Sequence, residues 1–345
     1  MRTATMTRYF LTCLLALAAA CSQAGVGLTA LPGREGDGQV TVFYPAADPD
    51  QSTQRGPYTL QVAPDAVPVR GNGRLVVMSH GSGGAPWVHS DLARKLAEAG
   101  FVVAFPEHRG DNFKGMADAG PVSWRQRPLE VSRAIDAVAA DPRFAALLSL
   151  DKVGMYGMSA GGHAALTMAG GRWSPARMRR HCEEHLQDDF ASCVGLATQL
   201  RGDFMDGVKK AVAIRVIRYK LDDATWYSHD EPRIRAVVAE VPYSVDFDLQ
   251  SLANPRVRLG IVRAGQDRWL VPRFHSDAVL QACKTCVLVA DLPSAGHGSL
   301  MSPPPLGRRS GIAADLLSDP PDFDRSLVPA THDRIVTFFR QNLLP

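Results

Sequence analysis

Residues 152–169 read K-V-G-M-Y-G-M-S-A-G-G-H-A-A-L-T-M-A, with glycines crowded around a single serine. The spacing predicts a short buried strand over 152–156 and a helix over 160–169. Between them, Gly157-Met158-Ser159-Ala160-Gly161 fits the pattern G-x-S-x-G. That spacing has a mechanical reason. A serine on a tight strand-to-helix turn needs small residues two positions to either side, so that neighbouring backbone can pass close. The turn lifts the hydroxyl above the sheet, and the start of the helix offers backbone N–H groups to a developing oxyanion. Ser159 is therefore read as a nucleophile.

Working outward, strand and helix patterns alternate on both sides of this turn. Residues 39–45 alternate like a strand, with 58–62 as the expected neighbour. L-V-V-M-S (75–79) is a continuous apolar run suited to a strand covered on both faces. A Gly-rich turn then leads into a helix over 91–99, capped by Gly100. Residues 101–105 form the next expected strand, and Leu129–Ala140 a helix that stops near Pro142. Past the serine, strands are expected at 235–241, 258–264 and 286–290, and an amphipathic helix at 331–341. This alternation predicts an α/β fold with a mostly parallel central sheet flanked by helices. Residues 172–233 interrupt the rhythm with a charged, helical pattern. They are read as a cap inserted over the C-terminal edge of the sheet, within a single domain spanning 25–345.

A serine hydroxyl needs a base to take its proton. In this architecture the order along the chain is serine, acid, histidine. His297, in S-A-G-H-G-S-L after the last expected strand, takes the place of the base. Asp267, in R-A-G-Q-D-R-W after the preceding strand, takes that of the acid that orients it. Asp246, Asp248, Asp277 and Asp291 are rival acids, and the first two are the serious ones because they also follow a strand end. The loop His80-Gly81-Ser82-Gly83-Gly84 stands where a second oxyanion donor belongs, so the N–H groups of Ser82 and Ala160 are paired as the expected oxyanion hole. As a phosphate cradle the loop fails, because no G-K-[ST] follows it.

Five stretches, S-H-G-S-G-G (79–84), F-P-E-H-R-G-D (105–111), R-P-L-E-V-S-R-A-I-D (127–136), G-M-S-A-G-G-H (157–163) and A-G-H-G-S-L (295–300), resemble the α/β-hydrolase superfamily. They are most similar to its exported bacterial "predicted dienelactone hydrolase" group, related to platelet-activating-factor acetylhydrolases. The resemblance runs from about residue 38 onward and is weakest across the insertion. It implies an ester hydrolase with Ser159, Asp267 and His297 as a triad. Dienelactone hydrolases themselves use a cysteine nucleophile, and this chain has a serine there, which argues against dienelactone as substrate.

The remaining features bound the reading. The chain has 345 residues, 46% of them hydrophobic and 21% charged, with a formal net charge of +3. Arg2 and Arg8 fall in a segment read as an export signal, residues 1–20, and without them the charge is +1. A nearly neutral body gives no electrostatic case for nucleic acid. The apolar run from Tyr9 to Ala20 is too short to span a bilayer. L-A-A-A-C (17–21) resembles a lipoprotein signal with Cys21 as the lipidated residue. Ala18-Ala19-Ala20 or Ser22-Gln23-Ala24 would suit an ordinary signal peptidase instead. Both readings export the chain, to the periplasm, to an outer-membrane lipid anchor, or outside the cell.

Apart from Cys13 and Cys21, four cysteines remain, an even number suited to an oxidising compartment and to bridges Cys182–Cys193 and Cys283–Cys286. The spacing C-x-x-C at 283–286 also allows a redox pair. His181-Cys182-Glu183-Glu184-His185 fits the zinc motif H-x-x-E-H, but a charged cap helix is the simpler reading, so neither metal nor cofactor is expected. Trp87, Trp226, Tyr227 and Trp269 are candidate pocket residues. The expected function is a serine hydrolase acting on a small-molecule carboxylic ester. A silent exported binding protein on the same fold, or an acyltransferase or peptidase with the same triad, are the alternatives.

Overall fold

The structure, a computed structural model, describes residues 25–34, 36–304 and 311–345. The expected export signal (1–20), Cys13 and the candidate lipid attachment at Cys21 lie outside the described residues. Among the described residues, ten strands form one sheet: β1 (Gly25–Leu31), β2 (Val40–Ala46), β3 (Gln51–Arg55), β4 (Tyr58–Pro64), β5 (Leu75–Ser79), β6 (Val102–Pro106), β7 (Val153–Met158), β8 (Ile234–Glu240), β9 (Arg258–Ala264) and β10 (Val287–Leu292). Their order is β10-β9-β8-β7-β5-β6-β2-β1-β4-β3. All neighbours from β10 to β6 pair in parallel, and the β6–β2, β2–β1 and β4–β3 pairs are antiparallel. The mostly parallel sheet expected from the alternation is present.

Every residue of β5 and of β7 is buried, as continuous apolar runs covered on both faces should be. On one face, Leu92 and Leu96 of α1 (Ser90–Glu98) and Ile335 and Phe339 of α10 (Leu327–Leu343), which follows the short α9 (Ile312–Leu317), close over Val76, Val103 and Val238. On the other, α2 (Pro121–Ala140), followed by the short α3 (Pro142–Ala145), and α4 (Ala160–Met168) and α8 (Ser276–Ala282) bring Val131, Ile135, Ala164 and Val279 onto Val77, Ala104 and Val237.

Two expectations change. The segment at 58–62 does not neighbour β2, because β1 lies between them. In β1, Gly27 lies against Tyr44, whose ring would stand 2.1 Å from an added Cβ. Its contact is made by backbone, so no apolar side chain there signals the strand. Helix α2 begins at Pro121 rather than Leu129, directly after Gly120 at φ +98°. Proline at the first helical turn is favourable, and Pro128 inside the helix reads from sequence as a breaker. The buried side chains of Trp124 and Arg127 anchor the helical turns before Leu129.

Between α4 and β8 lie α5 (Pro175–His185), α6 (Phe190–Val194) and α7 (Asp206–Lys220), with a disulfide between Cys182 and Cys193 joining the first two. The segment is closed at its base by paired backbone bonds, Trp173 N–H to Tyr227 O at 3.0 Å and Tyr227 N–H to Trp173 O at 2.8 Å.

The strand order explains where a site can form. The chain runs from β5 to β6 on one side and then returns to place β7 on the other side of β5. Such a reversal opens a crevice at the carboxyl ends of the strands.

Candidate active site

Ser159 follows β7 directly and has φ +57° and ψ −115°, a region an L-residue enters only where its surroundings enforce it. The glycines supply the enforcement. A Cβ at Gly157 would stand 2.0 Å from Gly161 O, and one at Gly161 only 1.9 Å from Ser79 O. The Ser159 N–H donates to Glu240 O at 3.0 Å, and Tyr243 N–H donates to Ser159 O at 3.3 Å. The elbow is thus tied to β5 on one side and to the end of β8 on the other.

His297 lies after β10 and Asp267 after β9, and their loops are held together by Gln266 N–H donating to Ala295 O at 2.8 Å and Gly265 N–H donating to Leu292 O at 2.9 Å. His297 Nδ1 stands 2.7 Å from Asp267 Oδ2, and His297 Nε2 stands 3.0 Å from Ser159 Oγ. An ionised carboxylate only accepts, so Nδ1 carries the proton and Nε2 is left to accept from the serine. Asp267 Oδ1 accepts the N–H groups of Trp269 (2.8 Å) and Leu270 (2.9 Å), which fixes the carboxylate.

The rival acids are engaged elsewhere. Asp246 Oδ2 pairs with His163 Nε2 at 3.0 Å in a buried cluster of aromatic rings. Asp248 pairs with Arg172, and Asp277 and Asp291 both pair with Arg263.

Ser79 sits opposite Gly157 in the β5–β7 register, so the loop His80–Gly84 leaves the sheet beside the elbow. A Cβ at Gly81 would lie 3.4 Å from Ser159 Cβ, and Gly83 has φ +66°, a conformation glycine adopts without strain. Ser82 follows Gly81 in this loop, and Ala160 begins α4, where a helix has no internal acceptor for its first N–H groups.

What shapes this loop is a pair that sequence reading missed. Arg127 Nη1 donates to His80 O, and Nη2 donates to Asp111 Oδ2 at 2.9 Å. Asp111 in turn accepts from Gly83 N–H (3.0 Å) and Ser82 Oγ–H (3.2 Å). Burial alone would raise the Asp111 pKa, but the Arg127 charge and its hydrogen bonds outweigh burial and lower it. Behind this pair, Ser79 Oγ meets His108 Nε2 at 2.7 Å and His108 Nδ1 meets Glu130 Oε2 at 2.5 Å. Burial, reinforced by the Arg127 charge, holds His80 and His108 well below the usual imidazole range. Both residues of the pair stood in quoted stretches, F-P-E-H-R-G-D and R-P-L-E-V, but only the fold brings those stretches together.

A cavity of about 740 Å³ opens over Ser159 and His297. Met116, Trp124, Met178, Ile217, Tyr243 and Leu270 line much of it, from the loop before α2, from α2, α5 and α7, and from the loops after β8 and β9. Of the four aromatic candidates, Trp269 lines this cavity; Trp87, Trp226 and Tyr227 do not. Trp87 packs against the core near α1, Trp226 carries the Arg172 guanidinium over its ring at 5.4 Å, and Tyr227 pairs with Trp173. Trp124 and Tyr243 take their place. Trp124 escaped notice because α2 begins earlier than its proline pattern suggests.

In H-x-x-E-H, His181 Nε2 stands 2.8 Å from Asp189 Oδ2, an oxygen that His275 Nε2 approaches at 3.2 Å, while the ring of His185 lies on Phe274. Among the described residues, no group of three or more His, Cys, Asp or Glu side chains is arranged to hold a metal ion. Cys283 and Cys286 form a disulfide before β10. No helix among the described residues is long and apolar enough to cross a membrane.

A family model described as platelet-activating factor acetylhydrolase, isoform II, matches residues 64–114, the segment that carries β5, the loop His80–Gly84 and Asp111. Match and fold both fit the α/β-hydrolase superfamily. No curated protein matches the chain significantly. The general function supported is that of a hydrolase acting on esters.

Proposed function

We propose that the chain is a serine hydrolase that cleaves carboxylic esters through an acyl-enzyme. Ser159 Oγ attacks the ester carbonyl while His297 Nε2 takes its proton, and Asp267 stabilises the imidazolium that results. The N–H groups of Ser82 and Ala160 stabilise the oxyanion of the tetrahedral intermediate. Its collapse expels the alcohol, which takes the proton from His297. Water then attacks the acyl-enzyme with His297 again as base, and Ser159 recovers its proton as the acid leaves. The observation that carries this reading is the unbroken relay from Asp267 Oδ2 to His297 Nδ1 at 2.7 Å and from His297 Nε2 to Ser159 Oγ at 3.0 Å.

The largely apolar walls of the cavity support a substrate with a sizeable apolar acyl or alkyl group. Assay of the purified protein on p-nitrophenyl esters of graded chain length tests this. The expected result is turnover with kcat/KM rising beyond the shortest acyl chains. Absence of turnover on every ester, with binding retained, would instead indicate a silent binding protein.

A further inference from the structure

Helix α7 has two apolar faces, and the fold uses one. Ala213 and Ile217 are buried beneath it. Val208, Val212, Val216 and Tyr219 are 52%, 55%, 46% and 83% exposed. With Met205 they recur at steps of three and four residues, so they share one outer side of the helix. Phe204, just before them, is 90% exposed. A surface helix needs one apolar stripe to hold it to its domain. A second stripe, continuous and facing water, marks an interaction surface.

The charges on the same segment indicate what covers it. From 201 to 220 there are six basic residues (Arg201, Lys209, Lys210, Arg215, Arg218, Lys220) against Asp203 and Asp206, a net of +4. Arg201, Arg215, Arg218 and Lys220 are exposed; Arg218 is paired with Glu183 of α5 and Lys209 with Asp203 and Asp206, which leaves Arg201, Lys210, Arg215 and Lys220 as the cations of the segment outside these ion pairs. Two copies pairing through this face would set these cations against one another, so the charge argues against a second copy and for an anionic surface. A convex helix with an apolar stripe rimmed by Lys and Arg suits the plane of a lipid interface, where no shaped groove is needed. Its position adds to this. Val216 and Lys220, and the exposed Leu196 of the same cap, also line the cavity over Ser159.

We propose that α7, with Phe204 and Met205, is a docking face for an anionic lipid surface, which sets the mouth of the cavity against the bilayer. Docking involves no covalent step and does not depend on the ester chemistry.

Side-chain carbene footprinting of the full chain tests the face itself. Labelling is compared in buffer, with phosphatidylcholine vesicles, and with vesicles that also contain phosphatidylglycerol. The expected result is a several-fold fall in labelling of Val208, Val212 and Tyr219 with the anionic vesicles only, reversed by salt. A V208S/V212S/Y219S variant, none of whose positions lines the cavity, should keep its rate on a water-soluble ester and lose about tenfold or more of the vesicle-dependent shielding at Phe204 and Met205. The rate on the soluble ester reports separately on the proposed chemistry. Unchanged labelling with both vesicle types overturns the proposal even if a lipid at Cys21 holds the chain to the membrane. Equal shielding by neutral vesicles overturns the anionic requirement. Shielding in buffer that grows with protein concentration identifies a second copy. Shielding in buffer that is independent of concentration identifies another segment of the chain, and shielding by polyglutamate but not by vesicles identifies an acidic protein. Each of these three also overturns the proposal.

Discussion

Arg127 and Asp111 form a fully buried ion pair, Nη2 to Oδ2 at 2.9 Å, and each partner also holds the loop at the end of β5. The planar fork of arginine lets one residue reach His80 O, Ser79 Oγ and Asp111 at once. A lysine keeps the charge and loses the fork. Arg127→Lys is therefore expected to lower kcat by about tenfold or more with a smaller change in KM, because a displaced oxyanion donor is missed mainly in the transition state. Steady-state kinetics beside a thermal melt check this. A loss of activity that only follows the loss of folded protein would reduce the pair to a structural role.

The acid is separable from its strongest rival. Asp267→Asn should lower turnover by about 10⁴-fold with the fold intact, because the amide favours the wrong histidine tautomer. Asp246→Asn should leave turnover within a few-fold and lower the melting temperature, since Asp246 serves His163 in the buried aromatic cluster. The reverse pattern would move the acid to the loop after β8.

Glu240 gives a pH signature. Burial raises its pKa from 4.5 to about 7, against the opposing hydrogen bond from Tyr156 and the nearby His297. Below 4.5 the carboxyl is protonated in both folded and unfolded chains and contributes no pH dependence. Between 4.5 and about 7 the unfolded chain has released this proton while the folded chain keeps it, so stability falls as pH rises, and it levels off above 7. The whole effect is about 3 kcal/mol at most. Glu240→Gln, which can still accept from Tyr156, should match or trail the wild type at pH 4 and exceed it at pH 8 in denaturant titrations. A difference that does not change with pH would rule out this ionisation.

The Cys182–Cys193 bridge ties α5 to α6 beside the cavity. Closing a loop of this length is worth about 3 kcal/mol in the chain-entropy model. Cys182→Ala/Cys193→Ala should therefore make the cap more sensitive to limited proteolysis while the sheet unfolds at nearly the same denaturant concentration. Coincident loss of both would show that the cap and the sheet unfold as one unit.

The parts legible in the sequence are those in which local pattern and chemistry coincide. Ser159 stood out because its turn demands small neighbours, and His297 and Asp267 because they follow strand ends in the right order. Disulfide partners followed from parity and proximity. What was not legible depends on contacts distant in sequence. Gly27 in β1 packs backbone on Tyr44, and Pro128 hides the first turns of α2. Arg127 and Asp111 look like ordinary surface charges until the fold encloses them. The charge of α7 is likewise diluted in a nearly neutral chain.

The central claim is that Ser159 is the nucleophile, and a fluorophosphonate probe tests it most directly. Mass mapping of the labelled wild-type protein should place one adduct, on Ser159, with stoichiometric loss of esterase activity, and Ser159→Ala should show neither adduct nor turnover. An adduct on another residue, or a Ser159→Ala protein that hydrolyses esters at the wild-type rate, would contradict the account.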